Sequence, residues 1–392
     1  MSVNSMGFEQ VSTLLNTLHQ QNTGKAALGG VNTSNFVTIA QETLAAGRDP
    51  LLSSIMQMVS KTIFSNRPYR RKFRGLEADA TRWGAIVRKE NLLDKDFIDN
   101  EAFKLVDGAS VDMFKVRKPD VVETVFTGFD TYSREYTIFK NQLDNAFTGP
   151  EELGSFFSMI VQNASDNLEQ SIEATSRMTV ASAIAGKIDM NETTGIIHLL
   201  TEYNAATGLS LTATTVYQPA NFKPFMQWVY ARIANLSDMM EERTNLFQFD
   251  TTATDGRLNR HTPKEDQRIF IYSPKRHEAD MMAIADVYHD SFLSQAITES
   301  VTYWQAIKTP DSIQVTPPIL TAAGAVTTGN AVSQAKIFGV MFDRDAMGVT
   351  IQSEETATSP YNISGKYWNT NISAVKRYWI DYTEKIIVLL LD

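Results

Sequence analysis

The sequence predicts a large α+β protein, and three observations indicate this fold class. Apolar residues recur at helical spacing, without proline, across residues 151–186. Runs rich in β-branched and aromatic residues, such as 121–126 and 337–342, predict strands. The 392 residues are 43% hydrophobic and 21% charged, near the average of globular proteins. A chain of this length suffices for about two to three domains.

Composition excludes several classes of function. The chain has no cysteine, which excludes disulfides, thiolate nucleophiles and cysteine-ligated metal sites. Its formal net charge of -9 disfavours nucleic acid as the principal ligand. The longest apolar run, residues 386–391, is far shorter than the roughly twenty residues of a membrane span, and residues 1–14 do not resemble a secretory signal. We therefore expect a cytoplasmic protein that has no membrane partner.

The N-terminal part is predicted to be an arm followed by two short helices. Residues 1–33 are rich in Gln, Asn, Ser, Thr and Gly and lack sustained periodicity, which predicts a segment that orders only against a neighbour. One helix is predicted from the Ser34-Asn35 cap to Gly47. A second begins with Pro50 in its first turn and continues to about Ile63.

The next stretch is unusually charged. Residues 67–120 contain 13 basic and 10 acidic side chains, about twice the charge density of the whole chain. So much charge cannot be buried. Strand-like residues 121–126 and 132–139 flank a turn signal at Gly128 and Asp130. We interpret residues 76–139 as a long charged hairpin that projects from the body.

A basic run immediately precedes this hairpin. Five of the eight residues from 67 to 74 are basic: Arg67, Arg70, Arg71, Lys72 and Arg74. A patch for nucleic acid is one interpretation. Because the chain as a whole is acidic, we favour ion pairs with an acidic surface of a neighbouring subunit. These five residues are the candidate inter-subunit contacts.

Residues 150–186 are predicted to form one long helix. Pro150 occupies the first helical position, Glu151 and Glu152 follow it at the positive end of the helix dipole, and Gly186-Lys187 marks the end. At about 1.5 Å per residue the helix would span roughly 55 Å. No other segment predicts a partner of similar length, so we interpret it as a solitary spine. The residues predicted to face a sheet are Phe157, Ile160, Val161, Ala164, Leu168 and Ile172.

The remaining residues predict a mixed α/β body. Between residues 301 and 341 only Lys308, Asp311 and Lys336 are charged. Helices are predicted at residues 191–203, at 222–240 with an opening near Pro224, and after 274, and strands at 268–272, 337–342, 365–369 and 380–391.

Side chains that could carry catalysis are few. The only concentration of histidine and carboxylate comprises His277, Glu278, Asp280, Asp286, His289 and Asp290. The alternative of an enzyme with a site in residues 188–340 would use His277, Asp280 or His289. His277 and His289 are twelve positions apart and would point about 120° apart on one helix. Asp343 and Asp345 could form a carboxylate pair, although a turn at the end of a strand is the commoner explanation. We expect no catalytic residue, no metal ligand and no cofactor.

The order of these elements resembles the major capsid proteins of tailed bacteriophages, which have the Hong Kong 97-type fold. The most specific part is the run from Lys336 through Asp343, Arg344 and Asp345 to Gly348, followed by Pro360 and by Gly365-Lys-Tyr-Trp-Asn369. This run looks like the corresponding stretch in capsid proteins of small short-tailed phages. The resemblance implies the following divisions: an N-terminal arm at 1–50, a connecting helix at 51–75, an E-loop at 76–145, a peripheral domain at 146–215 with its spine helix at 150–186, an axial domain at 216–345, and return strands at 346–392.

The resemblance also implies a function. It implies a structural major capsid protein that self-assembles into hexamers and pentamers of an icosahedral shell around double-stranded DNA, without binding that DNA specifically. A scaffolding protein and a portal are the implied partners, and assembly is expected in the cytoplasm of the bacterial host. The alternatives are the enzyme described above and another multimeric phage structural protein such as a portal.

Overall fold

The computed structural model describes residues 7–25, 30–65, 73–77, 87–94, 104–110, 121–127, 129–192, 194–250, 258–282 and 297–392, with single residues at 112, 114, 116 and 118. The helices are α1 (Phe8–Thr23), α2 (Phe36–Ala45), α3 (Arg48–Ser65), α4 (Lys140–Ala146), α5 (Pro150–Asp189), α6 (Leu199–Thr207), α7 (Pro219–Glu241) and α8 (Ser273–Met282). The strands are β1 (Val87–Leu92), β2 (Val121–Phe126), β3 (Phe129–Phe139), β4 (Ile196–His198), β5 (Gln267–Tyr272), β6 (Ile297–Val301), β7 (Ile313–Val315), β8 (Pro318–Leu320), β9 (Val326–Thr328), β10 (Val332–Gln334), β11 (Ile337–Asp343), β12 (Met347–Thr358), β13 (Tyr367–Ile380) and β14 (Ile386–Leu390). None of the helices in these ranges combines the length and the apolar character of a membrane span.

The N-terminal residues form a helix that packs on the body, which corrects the expected arm at residues 1–33. α1 buries Val11, Leu14, Leu15 and Leu18, which lie on one face at helical spacing. The helix contacts α2, α3 and α5. Its apolar residues stand among Gln, Asn and Thr, and this polar background hides the amphipathic stripe in the sequence.

α2 and α3 follow as predicted, but α3 does more than connect two parts of the chain. Asn35 is the residue before α2, and α3 begins at Arg48 with Pro50 in its first turn. Leu51 and Leu52 of α3 lie in the same apolar core as α1, α2 and the N-terminal half of α5. The predicted boundary at residue 50 therefore falls inside a helix, and this helix contributes to the core.

The predicted long hairpin is wrong in its pairing. β2 pairs antiparallel with β1, from Val87 opposite Phe126 to Leu92 opposite Val121. β3 pairs instead with β13 over its whole length, from Phe129 to Phe139. β1 and β2 therefore form a two-stranded element of their own, and we call it, with the described residues between the two strands, the ribbon (described residues from 87 to 126). β3 belongs to the body because it pairs with β13 as an edge strand of a three-stranded sheet.

α5 confirms the predicted spine and is longer than expected. It is a single helix of 40 residues with Gly149 at its N-cap and Pro150 at its first position, so it spans roughly 60 Å. Five of the six predicted core-facing side chains are buried: Phe157, Ile160, Ala164, Leu168 and Ile172. The side chain of Val161 lies outside the part of the chain that the structure describes.

A three-stranded antiparallel sheet lies along the N-terminal half of α5. Its strand order is β12-β13-β3. Trp368, Ile372 and Ala374 of β13 pack into the core that also contains Leu168 and Ile172 of α5. The spacing of two along β13 directs these side chains to the same face.

A second, five-stranded sheet has the order β4-β14-β11-β5-β6. β4 and β6 pair parallel with their neighbours, whereas β11 pairs antiparallel with both β14 and β5. Ile386 and Val388 face the C-terminal half of α5, and Ile387 and Leu389 face α6 and α7. Both faces are buried, which explains why these strands are almost continuously apolar.

Three segments of this region differ from expectation. Residues 191–203 were expected to be one helix, but Ile196 and Ile197 belong to β4, which pairs with β14, and α6 begins only at Leu199. The strand expected at 365–369 continues to Ile380 because it pairs with both β12 and β3. The strand expected at 380–391 is interrupted by a turn and becomes β14 at Ile386.

α5 also passes the residue that was expected to end it. Gly186 lies inside the helix, which continues to Asp189. A Cβ atom at Gly186 would overlap the phenol of Tyr382. The Tyr382 hydroxyl lies 3.2 Å from the Ser182 carbonyl and 2.9 Å from the Pro318 carbonyl. Gly186 is therefore explained by close packing, not by a helix C-cap.

Candidate functional site

Exposed apolar side chains concentrate on the ribbon and on its junction with β3. In a folded protein such a concentration indicates a surface that binds another macromolecule. The side chains, 44% to 83% exposed, are Leu92, Leu105, Val106, Phe114, Val116, Val121, Val125 and Phe129.

The two strands of the ribbon have an exposed and a partly buried face. Along β1, Arg88, Glu90 and Leu92 are exposed, whereas Lys89 and Asn91 between them are partly buried. The register places Arg88 opposite Val125, Glu90 opposite Glu123, and Leu92 opposite Val121. We call these six residues the exposed ribbon face. The alternation is that of a strand pair with one face against a body and one face against solvent.

The partly buried face is fixed to the body by ion pairs. Lys89 Nζ lies 3.0 Å from Asp381 Oδ2 and also contacts the Glu384 carboxylate. Arg260 donates to Asn91 Oδ1 at 2.9 Å, and its Nη2 lies 3.2 Å from Glu384 Oε1. We call these contacts, together with the ion pair between Asp94 and Arg243, the clasp.

Burial and neighbouring charges shift the pKa values of Lys89 and Glu384 in the clasp. Burial lowers the pKa of Lys89, but Asp381 and Glu384 raise it more, so the pKa lies above its usual value. Burial raises the pKa of Glu384 above its ordinary value, although Lys89 and Arg260 oppose this. The carboxylates of Asp381 and Glu384 are almost completely buried. Lys89 of the ribbon and Arg260 of the adjacent loop therefore compensate the buried Glu384 carboxylate.

A polar cavity of about 790 Å³ lies beside the clasp. Lys89 and Asn91 of the ribbon, Arg260 of the adjacent loop, and Asp343 and Glu384 of the body are among its lining residues. The ribbon thus meets the body partly through charged and polar groups around this cavity. Within the described ranges, no group of His, Asp and Glu residues is arranged to hold a metal ion.

The basic residues predicted to contact a neighbouring subunit are not tested by the structure. Arg67, Arg70, Arg71 and Lys72 lie outside the described residues. The backbone of Arg74 begins a short 3₁₀ helix, but its side chain is likewise not described. These residues stay a prediction.

The C-terminal end of the basic run is anchored in the body. Phe73 is buried although its φ of 66° is unusual for a residue with a side chain. Its ring packs edge-to-face on Phe270 at 5.2 Å, and the Arg177 guanidinium lies 5.0 Å from the ring centre. Gly75 N donates to Glu299 Oε1 at 2.7 Å. The basic run therefore ends at a fixed point on the five-stranded sheet.

The side chains considered for catalysis lie only partly within the described residues. His277 is exposed on α8, while the Asp280 side chain and His289 lie outside the described part of the structure. Asp343 Oδ2 accepts from the Thr262 hydroxyl at 2.6 Å, and Asp343 Oδ1 accepts from Asp345 N at 2.8 Å. The aspartate pair thus closes a turn at the end of β11.

Sequence reasoning missed the clasp. The charge density of residues 67–120 marked Lys89 and Asp94 only as members of a charged stretch. The partner of Lys89, Asp381, lies 292 residues away, and the partner of Asp94, Arg243, lies 149 residues away. The only local signal was the alternation of polar and charged residues in β1, which does not identify a distant partner.

Two solved phage structures are similar in fold. One is the capsid structure of Staphylococcus phage Andhra, with a TM-score of 0.52 and 13% identity, covering 82% of this chain and 84% of that chain. The other is a chain in the structure of the head fiber and inner core protein gp22 of native bacteriophage P68, with a TM-score of 0.52, 11% identity and the same coverage. The chain has the Hong Kong 97-type capsid fold that its sequence indicates.

Family comparison identifies the class of protein. No curated protein matches the chain. The family model described as Phi29-like phage major capsid protein matches residues 11–389, nearly the whole chain. The chain is thus a structural protein of a phage capsid shell, and it belongs to the family of Phi29-like phage major capsid proteins.

Proposed function

We propose that this capsid protein forms hexamers and pentamers, which close into an icosahedral shell around double-stranded DNA. The observation that carries the proposal is the ribbon, whose exposed apolar side chains its own body leaves uncovered. Closed symmetric assembly covers such surfaces without adding a second kind of protein. A flat hexamer and a more curved pentamer differ in the angle between subunits. We propose that the ribbon, which polar contacts hold to the body, adjusts to both angles.

We further propose the division of the chain into capsid units. The core around α1, α2, α3, the N-terminal half of α5 and the β12-β13-β3 sheet corresponds to the peripheral domain. The five-stranded sheet with α6 and α7 corresponds to the axial domain. The ribbon corresponds to the E-loop. In this division α5 joins the two domains because its two halves pack into different cores.

The ribbon is proposed to lie across the adjacent subunit of the same capsomer. An isolated two-stranded ribbon is marginally stable in water. The clasp holds the ribbon to the body at Lys89, Asn91 and Asp94. Farther along, Val106 is 74% exposed and Phe114 is 83% exposed. Burying these side chains against a neighbour would stabilise each contact by about 25 cal/mol per Å² of apolar surface.

DNA is proposed to be enclosed without specific binding. The net charge of -9 repels phosphate at long range. An inner wall that bound phosphate tightly would oppose the movement of DNA during packaging. The scaffolding protein and the portal are proposed as further partners, and the cytoplasm of the bacterial host as the place of assembly. Their support is the family to which the chain belongs.

Negative-stain electron microscopy of the purified protein, alone and with the scaffolding protein of the same phage, tests the proposal. We expect closed shells, or hexameric and pentameric capsomers. Single rings with one fixed stoichiometry would indicate a portal-like assembly instead. Isolated monomers under both conditions would contradict the proposed self-assembly.

A further inference from the structure

The exposed ribbon face carries an uncommon arrangement of charge. Glu90 lies directly opposite Glu123, and like charges in this position destabilise a strand pair. Arg88 Nε is 3.6 Å from Glu123 Oε1 and remains 63% exposed. On the next exposed rung Leu92 and Val121 form an apolar pair, 62% and 59% exposed. The paired glutamates are complementary to a cation, and the adjacent apolar pair is complementary to an exposed apolar side chain next to that cation.

The turn between β12 and β13, residues 359–366, presents such a combination. Ile363 is 82% exposed, and Lys366 is exposed with a positive φ of 54°. The turn is braced, because Lys366 N donates to the Asn362 carbonyl at 2.8 Å and Gly365 N donates to Asn362 Oδ1 at 2.9 Å. Lys140 N in turn donates to the Lys366 carbonyl at 2.9 Å. A strained lysine held by several contacts is a candidate for a function outside its own chain.

The two surfaces lie far apart on one chain. β3 begins at Phe129, near the root of the ribbon, and ends at Phe139, which pairs with Tyr367 beside the turn. Eleven residues of strand span roughly 35 Å. Each surface is uncovered in its own chain, and a contact between different surfaces of identical subunits builds a ring.

We propose that the exposed ribbon face binds the β12–β13 turn of a neighbouring copy, with Lys366 between Glu90 and Glu123 and Ile363 against Leu92 and Val121. This proposal rests on the proposed function and names the partner surface of the ribbon. The cation relieves the repulsion of the opposed glutamates, and the apolar contact covers the adjacent rung. The contact therefore fixes the register of the ribbon on its neighbour.

A second turn offers a similar combination and serves as the control. Ile307 is 75% exposed and Lys308 follows it. The backbone of Lys308 has no positive φ. We favour the β12–β13 turn because its lysine is held in a strained conformation by backbone contacts with Asn362 and with Lys140 at the start of α4.

Charge reversal tests the pair. E90K replaces the glutamate pair with a lysine–glutamate pair, which stabilises the ribbon itself, so lost assembly cannot be attributed to a weaker ribbon. The variants are E90K, K366E, E90K/K366E and E90K/K308E, and the measurements are the fraction of protein that sediments as particles and the melting temperature. We expect E90K and K366E each to lower this fraction about tenfold, and E90K/K366E to restore it to within about threefold of the parent protein.

Melting temperatures within about 2 °C of the parent would show that the variants are folded. The proposal is overturned if E90K/K366E assembles no better than either single variant. It is also overturned if E90K/K308E restores assembly instead, because the partner would then be the Ile307 turn. A parent protein that forms no particles would contradict the proposed function itself, whereas the charge-reversal results apply only to this contact.

Discussion

At the residue scale, Gly186 shows how one position joins two parts of the fold. It lies within α5 where the Tyr382 phenol approaches the helix too closely for any side chain. Burial raises the pKa of Tyr382, so its hydroxyl stays protonated and can donate to the carbonyl of Ser182 or Pro318. A helical glycine ordinarily costs about 1 kcal/mol relative to alanine, and here this cost permits the close packing of the helix against the turn before β14.

G186A is expected to destabilise the protein despite the higher helix propensity of alanine. Overpacking costs about 1–3 kcal/mol, and the gain in propensity offsets only part of it. Denaturant unfolding of G186A, Y382A and the double variant measures the coupling. We expect the double variant to lose less than the sum of the single losses, because the clash disappears with the phenol. Additive losses would show that Gly186 and Tyr382 do not limit each other.

Lys89 carries a prediction on pH. Its pKa is raised above its usual value, so the stabilisation is fully present below pH about 10.4 and is lost as the pH rises through the folded-state pKa. K89M should destabilise the protein by about 1–3 kcal/mol near pH 8, because the Asp381 and Glu384 carboxylates lose a partner.

The defect of K89M should shrink toward pH 5. The pKa of Glu384 is raised, so Glu384 begins to take up a proton there and needs the cation less. Urea unfolding of the parent protein and of K89M at both pH values measures the difference. R88M, at an exposed position on the opposite face, is the matched control and should show little change. A K89M defect that is independent of pH would contradict the assigned partners.

At the scale of elements, α5 connects the two cores of the molecule. Leu168 and Ile172 lie in the core of the three-stranded sheet, while Val180 and Ile184 lie in the core of the five-stranded sheet. A single unbroken helix transmits the orientation of one core to the other because helices bend sharply only at specific defects. α5 therefore fixes the angle between the two sheets.

L168A should destabilise the protein by about 2–5 kcal/mol through the cavity that it creates. Leu168 is 6% exposed. M159A, at a position on the same helix that is 61% exposed, is the control and should stay within about 0.5 kcal/mol. Thermal and denaturant unfolding of both variants measure this. Equal stability of L168A and M159A would contradict the assignment of the buried face.

The elements that the sequence predicted well are those with local signals. Pro150 with Glu151 marked the start of α5, and the apolar run at 268–272 marked β5. The partner of β3 could not be predicted, because β13 is more than two hundred residues away. Pairing of β3 with β2 and pairing with β13 are both compatible with the alternation of side chains along β3. Gly186 was assigned as a helix end because the approach of Tyr382 is visible only in the fold.

The candidate site was predicted only in part. The charge density of residues 67–120 indicated a projecting element, and the structure places a ribbon there with an exposed apolar surface. Its partners Arg260, Asp381 and Glu384 had no signal in the sequence, because their contacts with the ribbon arise only in the fold. Burial of their side chains, not sequence spacing, identifies them.

At the scale of the whole molecule, the protein divides into a body that is complete by itself and surfaces that are not. The three-stranded and the five-stranded sheet of the body each have a buried apolar face and covering helices. The ribbon contributes polar contacts at its root and exposed apolar side chains farther along. This division predicts that folding and assembly can be separated by substitution.

The basic run belongs to this scale because it is proposed to act between subunits. Reversing Arg70 and Arg71 to Glu should prevent shell formation while the monomer still folds, and the parent assembly should weaken as salt is raised. Sedimentation and circular dichroism measure the two properties. Normal shells from the double variant would contradict the proposed role. Normal shells that fail to package DNA would favour a nucleic-acid contact.

The central claim is that the outer part of the ribbon serves assembly and not the stability of its own chain. Leu92 and Val121 are directly paired, so a short Gly-Ser turn can replace residues 95–118 and leave the clasp intact. Because Lys89, Asn91 and Asp94 are kept, any effect of the truncation cannot be attributed to the loss of the clasp.

Sedimentation velocity of this truncated protein, beside the parent protein under assembly conditions, tests the claim most directly. We expect a monomer that unfolds cooperatively at nearly the temperature of the parent monomer and yields no closed particles. Closed particles from the truncated protein, or a truncated chain that is unfolded, would contradict the account.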